Sequence, residues 1–145
     1  MVARRGRRRS TERDPVDLPP DLLELLHDRS PCFVATVMPD GSPQLTQTWV
    51  DTDGCHIILN TVQGSQKSRN IERDPRVALN ISDPKSAGRY FAVRGIVVKA
   101  TTEGAVAHIE KLAHRYLGKP YPWYGGRSQT RLLVTIEAAH ISSNG

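Results

Sequence analysis

The sequence predicts a mainly β fold, a six-stranded antiparallel β-barrel with flanking helices. Runs of β-branched and apolar residues recur along the chain, and turn signals such as Asp40-Gly41 join neighbouring runs. Only two or three segments have the spacing of an amphipathic helix, so helices do not alternate with strands as they would in a parallel sheet. The glycine motifs G-x-G-x-x-G and G-x-x-x-x-G-K-[ST] do not occur. We therefore exclude a Rossmann-type fold.

Charge separates the chain into a tail and a domain. Residues 1–13 contain six arginines and one glutamate, which account for the whole net charge of +5, and the remainder carries 14 basic and 14 acidic residues. A chain of 145 residues can bury one core without disulfides. We predict a basic disordered tail at 1–16 and one domain at 17–145. Nucleic-acid binding by the tail is the less favoured alternative.

Neither a membrane segment nor a metal site is expected. The tail lacks the apolar core of a secretory signal, and no apolar run approaches the length of a transmembrane helix. Cys32 and Cys55 form no C-x-x-C pair, and the five histidines are scattered over different segments. We expect reduced thiols in a cytoplasmic protein, no metal and no membrane partner.

Three strands are predicted in the first half of the chain. Leucines at 22, 23, 25 and 26 first form the apolar stripe of a short helix. Strand 32–38 then leads through Asp40-Gly41 into strand 43–51, and a second turn leads into strand 55–62. Since both connections are short reversals, we expect these strands to form an antiparallel meander.

The second half is predicted to complete the barrel. Thr102 is the expected N-cap of a helix that ends at Leu117, because Gly118 is a typical stop signal. Gly95 interrupts a long strand and is expected to form a bulge or bend, which barrels use to close. The predicted elements are a short helix after Ser65, strands 76–82 and 89–100, helix 102–117, a Pro, Gly and aromatic loop at 119–128, and strand 130–143.

A Gly-Ser loop lies between two strand-like runs at residues 60–81. Ser65 can cap the helix that follows, and the free N–H groups of the first turn together with Lys67 would favour a phosphate or carboxylate. Asp74-Pro75 ends the helix, because the residue before proline is disfavoured in the α region. The alternative is an ordinary strand-loop-helix connection with solvated basic residues.

The second predicted strand is polar on both faces. One face carries Gln44, Thr46 and Thr48, and the other carries Gln47 and Trp49 beside Leu45. Such amides and hydroxyls can hydrogen-bond the edge of a heterocycle, and Trp49 offers packing area. The alternative is a strand at a sheet edge that faces solvent.

No catalytic residue is identified. The serines lack a G-x-S-x-G elbow, and neither cysteine has a partner that would act as its base. If the protein is an enzyme, we expect a cofactor to carry the chemistry.

The strand, the Asp-Gly hairpin, the polar strand and the segment N-T-x-x-G-S-x-K-x-x-N with its R-D-P-R-V-A-L-N-I continuation resemble a known family. They resemble the split β-barrel flavin and deazaflavin oxidoreductases of the pyridoxamine 5′-phosphate oxidase-like superfamily, over roughly residues 20–142. The G-S-Q-K-x-x-N form is most similar to the coenzyme F420-dependent reductases of actinobacteria.

The resemblance implies a dimeric, FMN-binding-like split barrel with the cofactor in a groove at the subunit interface of a homodimer. It implies coenzyme F420 as the cofactor, with FMN as the alternative. The family segment that binds the phosphate of pyridoxamine phosphate has no counterpart here, so we do not expect oxidation of that substrate. The implied cofactor-binding residues are Gln44, Thr46, Gln47, Thr48, Trp49, Asn60, Thr61, Ser65, Gln66, Lys67, Arg69, Asn70 and Tyr90.

The expected function is that of a cytoplasmic reductase that transfers a hydride from reduced F420 to a conjugated, electron-poor small molecule. One alternative is an FMN-dependent oxidoreductase of the same superfamily. Another is a protein that binds a flavin or haem without turnover. The loop 119–128 is expected to form either a lid over the groove or an ordinary surface loop.

Overall fold

A computed structural model describes residues 14–144, so the predictions for most of the basic tail lie outside the described residues. The described chain forms one antiparallel sheet of seven strands with three helices. None of these helices is long and apolar enough to cross a membrane. The elements are α1 (Pro20–Leu26), β1 (Cys32–Val37), β2 (Pro43–Thr48), β3 (Val50–Thr52), β4 (Ile57–Val62), α2 (Gln66–Arg73), β5 (Arg76–Asp83), β6 (Ser86–Thr101), α3 (Ala105–Leu117) and β7 (Arg131–Ser143).

The sheet curls because of its connectivity. The strand order is β2-β1-β5-β6-β7-β4-β3, so β2 and β3 lie at opposite edges, although Trp49 alone separates them in the chain. One residue spans less than 4 Å, so the two edges must approach each other at Trp49. The mainly β, curled antiparallel fold with flanking helices is thereby confirmed. The predicted count of six strands is wrong, because the predicted strand 43–51 is interrupted at Trp49.

The predicted meander also needs correction. β1 pairs with β2 and β3 pairs with β4, so both expected reversals are present. The two hairpins nevertheless lie at opposite ends of the sheet, and β4 has β7 as its other neighbour. The reason is the break at Trp49, which carries the chain from one edge of the sheet to the other.

The core fills the inside of the curled sheet. Leu22, Leu25 and Leu26 of α1 are buried in this core, which confirms the predicted apolar stripe. The largest fully buried apolar side chains are Leu22, Leu26, Val34, Val50, Ile57, Ile81, Val93, Leu112, Val134 and Ile136.

Gly95 lies at a register shift between β6 and β7, as predicted. A Cβ atom at this position would overlap the carbonyl oxygen of Glu137, so only glycine lets the two strands approach this closely. The predicted turn that precedes β6 is shorter than expected, because the strand already begins at Ser86.

The start of α3 differs from the prediction. Thr102 does not cap the helix; Gly104 occupies the N-cap position in the left-handed region with φ 76°, and no side chain caps it. Thr101 Oγ1 instead accepts a hydrogen bond from the Glu103 N–H at 3.1 Å, which turns the chain before the helix begins. Gly118 ends α3 with φ 73°, as predicted.

Candidate functional site

An open groove of about 500 Å³ lies where the end of β2, the helix α3 and the loop 119–130 meet. Four aromatic side chains and two arginines line it, and no aspartate or glutamate of the described residues does so. Its wall is formed by Trp49, Tyr116, Tyr121 and Tyr124, and its cations are Arg29 and Arg131. The groove therefore has the composition of a site for a flat, negatively charged ligand.

The aromatic wall is held in a fixed geometry. The rings of Trp49 and Tyr116 are stacked with centroids 5.2 Å apart, and Tyr121 meets Trp49 edge-on at 6.2 Å. The Tyr116 hydroxyl donates to the carbonyl oxygen of Ser30 at 2.8 Å and accepts from the Val50 N–H at 3.2 Å. Burial raises the pKa of Tyr116 to about 12, so this hydroxyl keeps its proton at neutral pH.

Arg131, the first residue of β7, is a buried cation that has no counter-ion among the described residues. It is only 7% exposed, and no carboxylate of the described residues pairs with it. Its Nε donates to Asn60 Oδ1 at 2.8 Å and its Nη1 to the Tyr121 hydroxyl at 3.3 Å, while the guanidinium lies 5.3 Å from the Tyr121 ring centroid. Burial lowers the pKa of Arg131, which reflects an incompletely compensated charge.

A buried chain of hydrogen bonds supports Arg131 from behind. Asn60 Nδ2 donates to the carbonyl oxygen of Ala105 at 2.8 Å and lies 3.1 Å from His108 Nδ1. Arginine can only donate, so the oxygen of Asn60 must face Arg131 and its NH₂ group must face His108. His108 Nδ1 is then an acceptor, and the ring carries its proton on Nε2.

Asp51 ends this chain. His108 Nε2 lies 3.1 Å from Asp51 Oδ2, and the same carboxylate accepts from Lys111 Nζ at 3.0 Å and from Arg115 Nη2 at 2.8 Å. Burial alone would raise the pKa of Asp51, but the hydrogen bonds from His108, Arg115 and Lys111 outweigh it and hold the pKa well below its usual range. The result is a rigid link from β3 through α3 to the groove.

Four of the predicted residues line the groove. Gln47, Thr48 and Trp49 come from the end of the polar strand, and Asn60 comes from β4. The structure therefore brings together the polar strand and the strand end before the Gly-Ser loop. The roles of these side chains toward a cofactor stay predictions.

A second group of predicted residues forms a separate cluster that fastens α2 to the sheet. Asn70 is fully buried, and its Nδ2 lies 3.2 Å from Gln44 Oε1 and 3.0 Å from Thr36 Oγ1. Gln66 Nε2 donates to Asn70 Oδ1 at 2.8 Å, and Arg69 donates to Gln66 Oε1 at 2.7 Å. Asn70 thus has its polar atoms occupied within the protein and does not line the groove.

The helix after the Gly-Ser loop is capped as predicted, but the side chain of Lys67 points in an unexpected direction. Ser65 Oγ accepts from the Ser68 N–H at 3.2 Å, which confirms the capped helix start. Lys67 turns inward and lines a narrow cleft inside the sheet together with Thr61. Burial lowers the pKa of Lys67, to which the positive charge of Arg131 also contributes. The structure therefore directs the half-buried Lys67 toward the inside of the sheet, and its role toward an anion stays a prediction.

Two further predicted residues, Thr46 and Tyr90, lie outside the groove lining. Thr46 Oγ1 is buried and has no hydrogen-bond partner among the described residues. Tyr90 lies in β6 opposite Ser82, and its backbone N–H donates to Asn144 Oδ1 at 3.0 Å. Neither residue lines the groove.

The aromatic loop 119–128 contributes Tyr121 and Tyr124 to the groove wall. Behind them, Trp123 adopts φ 53°, a left-handed conformation that is strained for a bulky residue. Its buried Nε1–H finds no partner in the part of the chain that the structure describes. The loop is thus part of the site, and its movement as a lid stays a prediction.

Sequence reasoning missed Arg131, Arg29 and the Asp51–His108 pair. Arg131 does leave a local signal, because it is a lone charge at the start of the apolar run Leu132–Val134. Asp51 and His108 leave none, since 57 residues separate them and each sits in an ordinary local context.

Comparison with known proteins places this architecture in a family. The family model described as pyridoxamine 5′-phosphate oxidase matches residues 18–144. An F420 reductase structure is 30% identical, covers 86% of this chain and 98% of its own, and superposes with a TM-score of 0.75. The conserved hypothetical protein Rv2991 from Mycobacterium tuberculosis is 26% identical, with 95% and 89% coverage and a TM-score of 0.68.

More distant structures share the fold alone. A putative pyridoxamine 5′-phosphate oxidase from Listeria innocua is 17% identical, covers 85% of this chain and 94% of its own, and has a TM-score of 0.63. No protein with a curated description matches the chain. Because the family model spans nearly all the described residues and the curled antiparallel sheet agrees with it, the chain belongs to the pyridoxamine 5′-phosphate oxidase family.

Proposed function

We propose that this protein is an oxidoreductase that transfers a hydride from reduced coenzyme F420 to a conjugated, electron-poor small molecule. The observation that carries the proposal is the groove, with its aromatic wall, its two arginines and the absence of a carboxylate among its described lining residues. The 30% identity to an F420 reductase over 86% of the chain supports the same cofactor.

The side chains of the groove fit such a cofactor chemically. A deazaflavin has a flat ring that aromatic side chains can stack on, and its phosphate and acidic tail need cations. When bound, the reduced deazaflavin supplies the hydride. The groove offers Trp49 and Tyr121 for stacking, Arg29 at its exposed rim for the negative charge of the cofactor, and the amide of Gln47 for a polar ring edge.

The protein contributes orientation and the exclusion of water. The stacked pair of Trp49 and Tyr116 and the two hydrogen bonds of the Tyr116 hydroxyl fix one wall of the groove. Good alignment of two reactants can lower a barrier by up to roughly 7–11 kcal/mol. No carboxylic acid of the described residues lines the groove, so the proton that completes the reduction comes from solvent at its open side or from one of the lining hydroxyl groups.

We also propose a homodimer, as the family resemblance implies. The outward face of β1 and β2 exposes Phe33 at 38% and Leu45 at 68%. The two side chains are diagonal neighbours on this face, because Leu45 pairs with Ala35, two residues along β1 from Phe33. Exposed apolar side chains in one patch are typical of an interaction surface. Light scattering of the wild type and of Leu45→Lys tests this: we expect a dimer that the lysine disrupts. The cytoplasmic location stays a prediction.

The cofactor is tested by titrating the purified protein with F420 and with FMN and following the fluorescence of each. We expect F420 to bind at least ten times more tightly than FMN, and Trp49→Ala to weaken F420 binding at least tenfold. Lys85→Ala, at the exposed turn between β5 and β6, serves as the control outside the groove lining and should bind like the wild type. Tight binding of FMN without a response to F420 would defeat the choice of cofactor.

An FMN-dependent oxidoreductase is the second candidate, since the matching family is described as pyridoxamine 5′-phosphate oxidase. Turnover is tested by following the absorbance of reduced F420 after addition of quinones, enones or tetrapyrroles. We expect loss of that absorbance with at least one class. Tight binding without turnover across the whole panel would instead favour a protein that holds a flavin-like cofactor or haem without reacting.

A further inference from the structure

We infer that Arg131 is the anion receptor of the groove and that the organic substrate is a conjugated carboxylate, docked with its carboxylate on this guanidinium. This inference rests on the proposed function, because it assigns a class of substrate to the proposed reductase. It starts from the position of Arg131 at the beginning of β7, where the aromatic loop joins the sheet.

The first argument is the charge balance around Arg131. A cation that is 7% exposed is costly to bury unless an anion accompanies it. Among the described residues, the groove contains no carboxylate, and no salt bridge compensates the charge of Arg131. An anion supplied by a ligand would complete this site.

The second argument is the count of hydrogen-bond donors. A guanidinium carries five N–H groups in one plane. Asn60 takes the Nε–H and Tyr121 takes one Nη1–H, and no described residue accepts from Nη2. The two bonds that are made fix the plane of the guanidinium, and the remaining N–H groups are available for the paired hydrogen bonds that arginine forms with a carboxylate.

The third argument separates a substrate carboxylate from a cofactor phosphate. The Arg131 guanidinium lies 5.3 Å from the Tyr121 ring centroid, and that ring lies 6.2 Å from Trp49. The guanidinium and the aromatic wall are thus close enough for one small molecule to contact both. This spacing suits a carboxylate that is attached directly to a flat conjugated system. Arg29, at the exposed rim, is better placed for charges on a flexible tail.

The test compares trans-cinnamate with cinnamamide, which has the same shape without the charge. Isothermal titration of the full-length protein without cofactor should show cinnamate binding at least ten times more tightly than cinnamamide. Arg131→Gln should reduce this preference to less than twofold, and Arg131→Lys should retain part of it. Lys85→Gln removes an exposed positive charge at the turn between β5 and β6, outside the groove lining, and should leave the preference intact.

A measurement on the wild type keeps the inference falsifiable if Arg131→Gln does not fold, as judged by its thermal melting. Acetate should weaken the apparent binding of cinnamate by competition and should leave that of cinnamamide unchanged. Equal binding of the two probes, or no binding of either at millimolar concentration, would overturn the inference.

A further titration with F420 separates the two sources of an anion. If Arg131→Gln weakens F420 binding tenfold while cinnamate still binds with its preference, the anion belongs to the cofactor and the inference fails. If the wild type does not bind F420 but still prefers cinnamate to cinnamamide, the choice of cofactor is wrong and the role of Arg131 as anion receptor is supported.

Discussion

His108 Nε2 lies 3.1 Å from Asp51 Oδ2, and both side chains are almost completely buried between β3 and α3. Through Asn60, the same imidazole reaches Arg131 in the groove. The geometry of the groove therefore depends on a charged group, Asp51, that does not itself line the groove.

Replacing Asp51 by Asn should destabilise the protein strongly. The carboxylate pairs with His108, Lys111 and Arg115, and removing one partner of a buried charged cluster typically costs about 3–5 kcal/mol. Urea denaturation followed by circular dichroism measures the change. Asp17→Asn, at an exposed position, is the matched control and should stay within about 0.5 kcal/mol of the wild type. A loss below about 1 kcal/mol for Asp51→Asn would contradict the role given to this cluster.

The same carboxylate predicts a direction of pH dependence. The pKa of Asp51 is lower in the folded state than the value of about 3.9 for an unfolded aspartate, so its stabilising contribution is complete above that value. It is lost as the pH falls below about 4 toward the folded pKa, because the unfolded state then binds the proton more readily. The free energy of unfolding, measured from pH 6 to pH 2.5, should fall more steeply for the wild type than for Asp51→Asn. Parallel curves would count against this assignment.

Tyr116→Phe should cost about 1–3 kcal/mol of stability, because the Val50 N–H and the Ser30 carbonyl both lose their partner. The stacked ring on Trp49 is retained, so the comparison isolates the hydroxyl. Tyr124→Phe, with a side chain that is 71% exposed, should change the stability by less than about 0.5 kcal/mol. Equal effects of the two substitutions would show that the hydroxyl of Tyr116 does not fix the wall.

Gly95→Ala should destabilise the protein by about 1–3 kcal/mol, because the new methyl group would overlap the carbonyl oxygen of Glu137 on the neighbouring strand. Gly88→Ala provides the control within the same strand, since no atom lies within 4 Å of the place that its methyl group would take and its φ is not positive. Thermal melting of both variants distinguishes a close approach of strands from a general intolerance of alanine. A neutral Gly95→Ala would mean that the bulge can open at little cost.

Lys67→Met decides between the inward position of Lys67 and the expected role on a phosphate. The half-buried ammonium has no carboxylate partner among the described residues, so its removal should raise the free energy of unfolding by about 1 kcal/mol. F420 affinity should then change less than threefold. Lys85→Met, at an exposed turn, is the control for loss of charge alone. A tenfold loss of F420 affinity without a gain in stability would restore the sequence-based role of the loop.

Local signals predicted much of the fold. The leucine stripe of α1, the Asp-Gly reversal, the Ser65 cap and the Gly95 bend each depend on neighbours within a few residues, and each is present. The break at Trp49 has no such signal, because the sheet order alone reveals that the strand changes edges there.

The candidate site was predictable only in part for the same reason. The polar strand and Asn60 stand out by composition, and they do line the groove. Asn70 and Gln44 also stand out, but their amides lie 3.2 Å apart beside α2, and neither residue lines the groove. Arg131 acquires its meaning from Asn60 and Tyr121, and those contacts exist only once β4, β7 and the aromatic loop have come together.

Trp49 both joins the two edges of the sheet and forms part of the groove wall. A ligand stacked on its ring therefore lies where the two edge strands, β2 and β3, meet. Separation of these two edges would disturb the bound molecule. We therefore expect a ligand in the groove to slow the exchange of the β2 and β3 amides with solvent, because local opening at Trp49 would have to displace it.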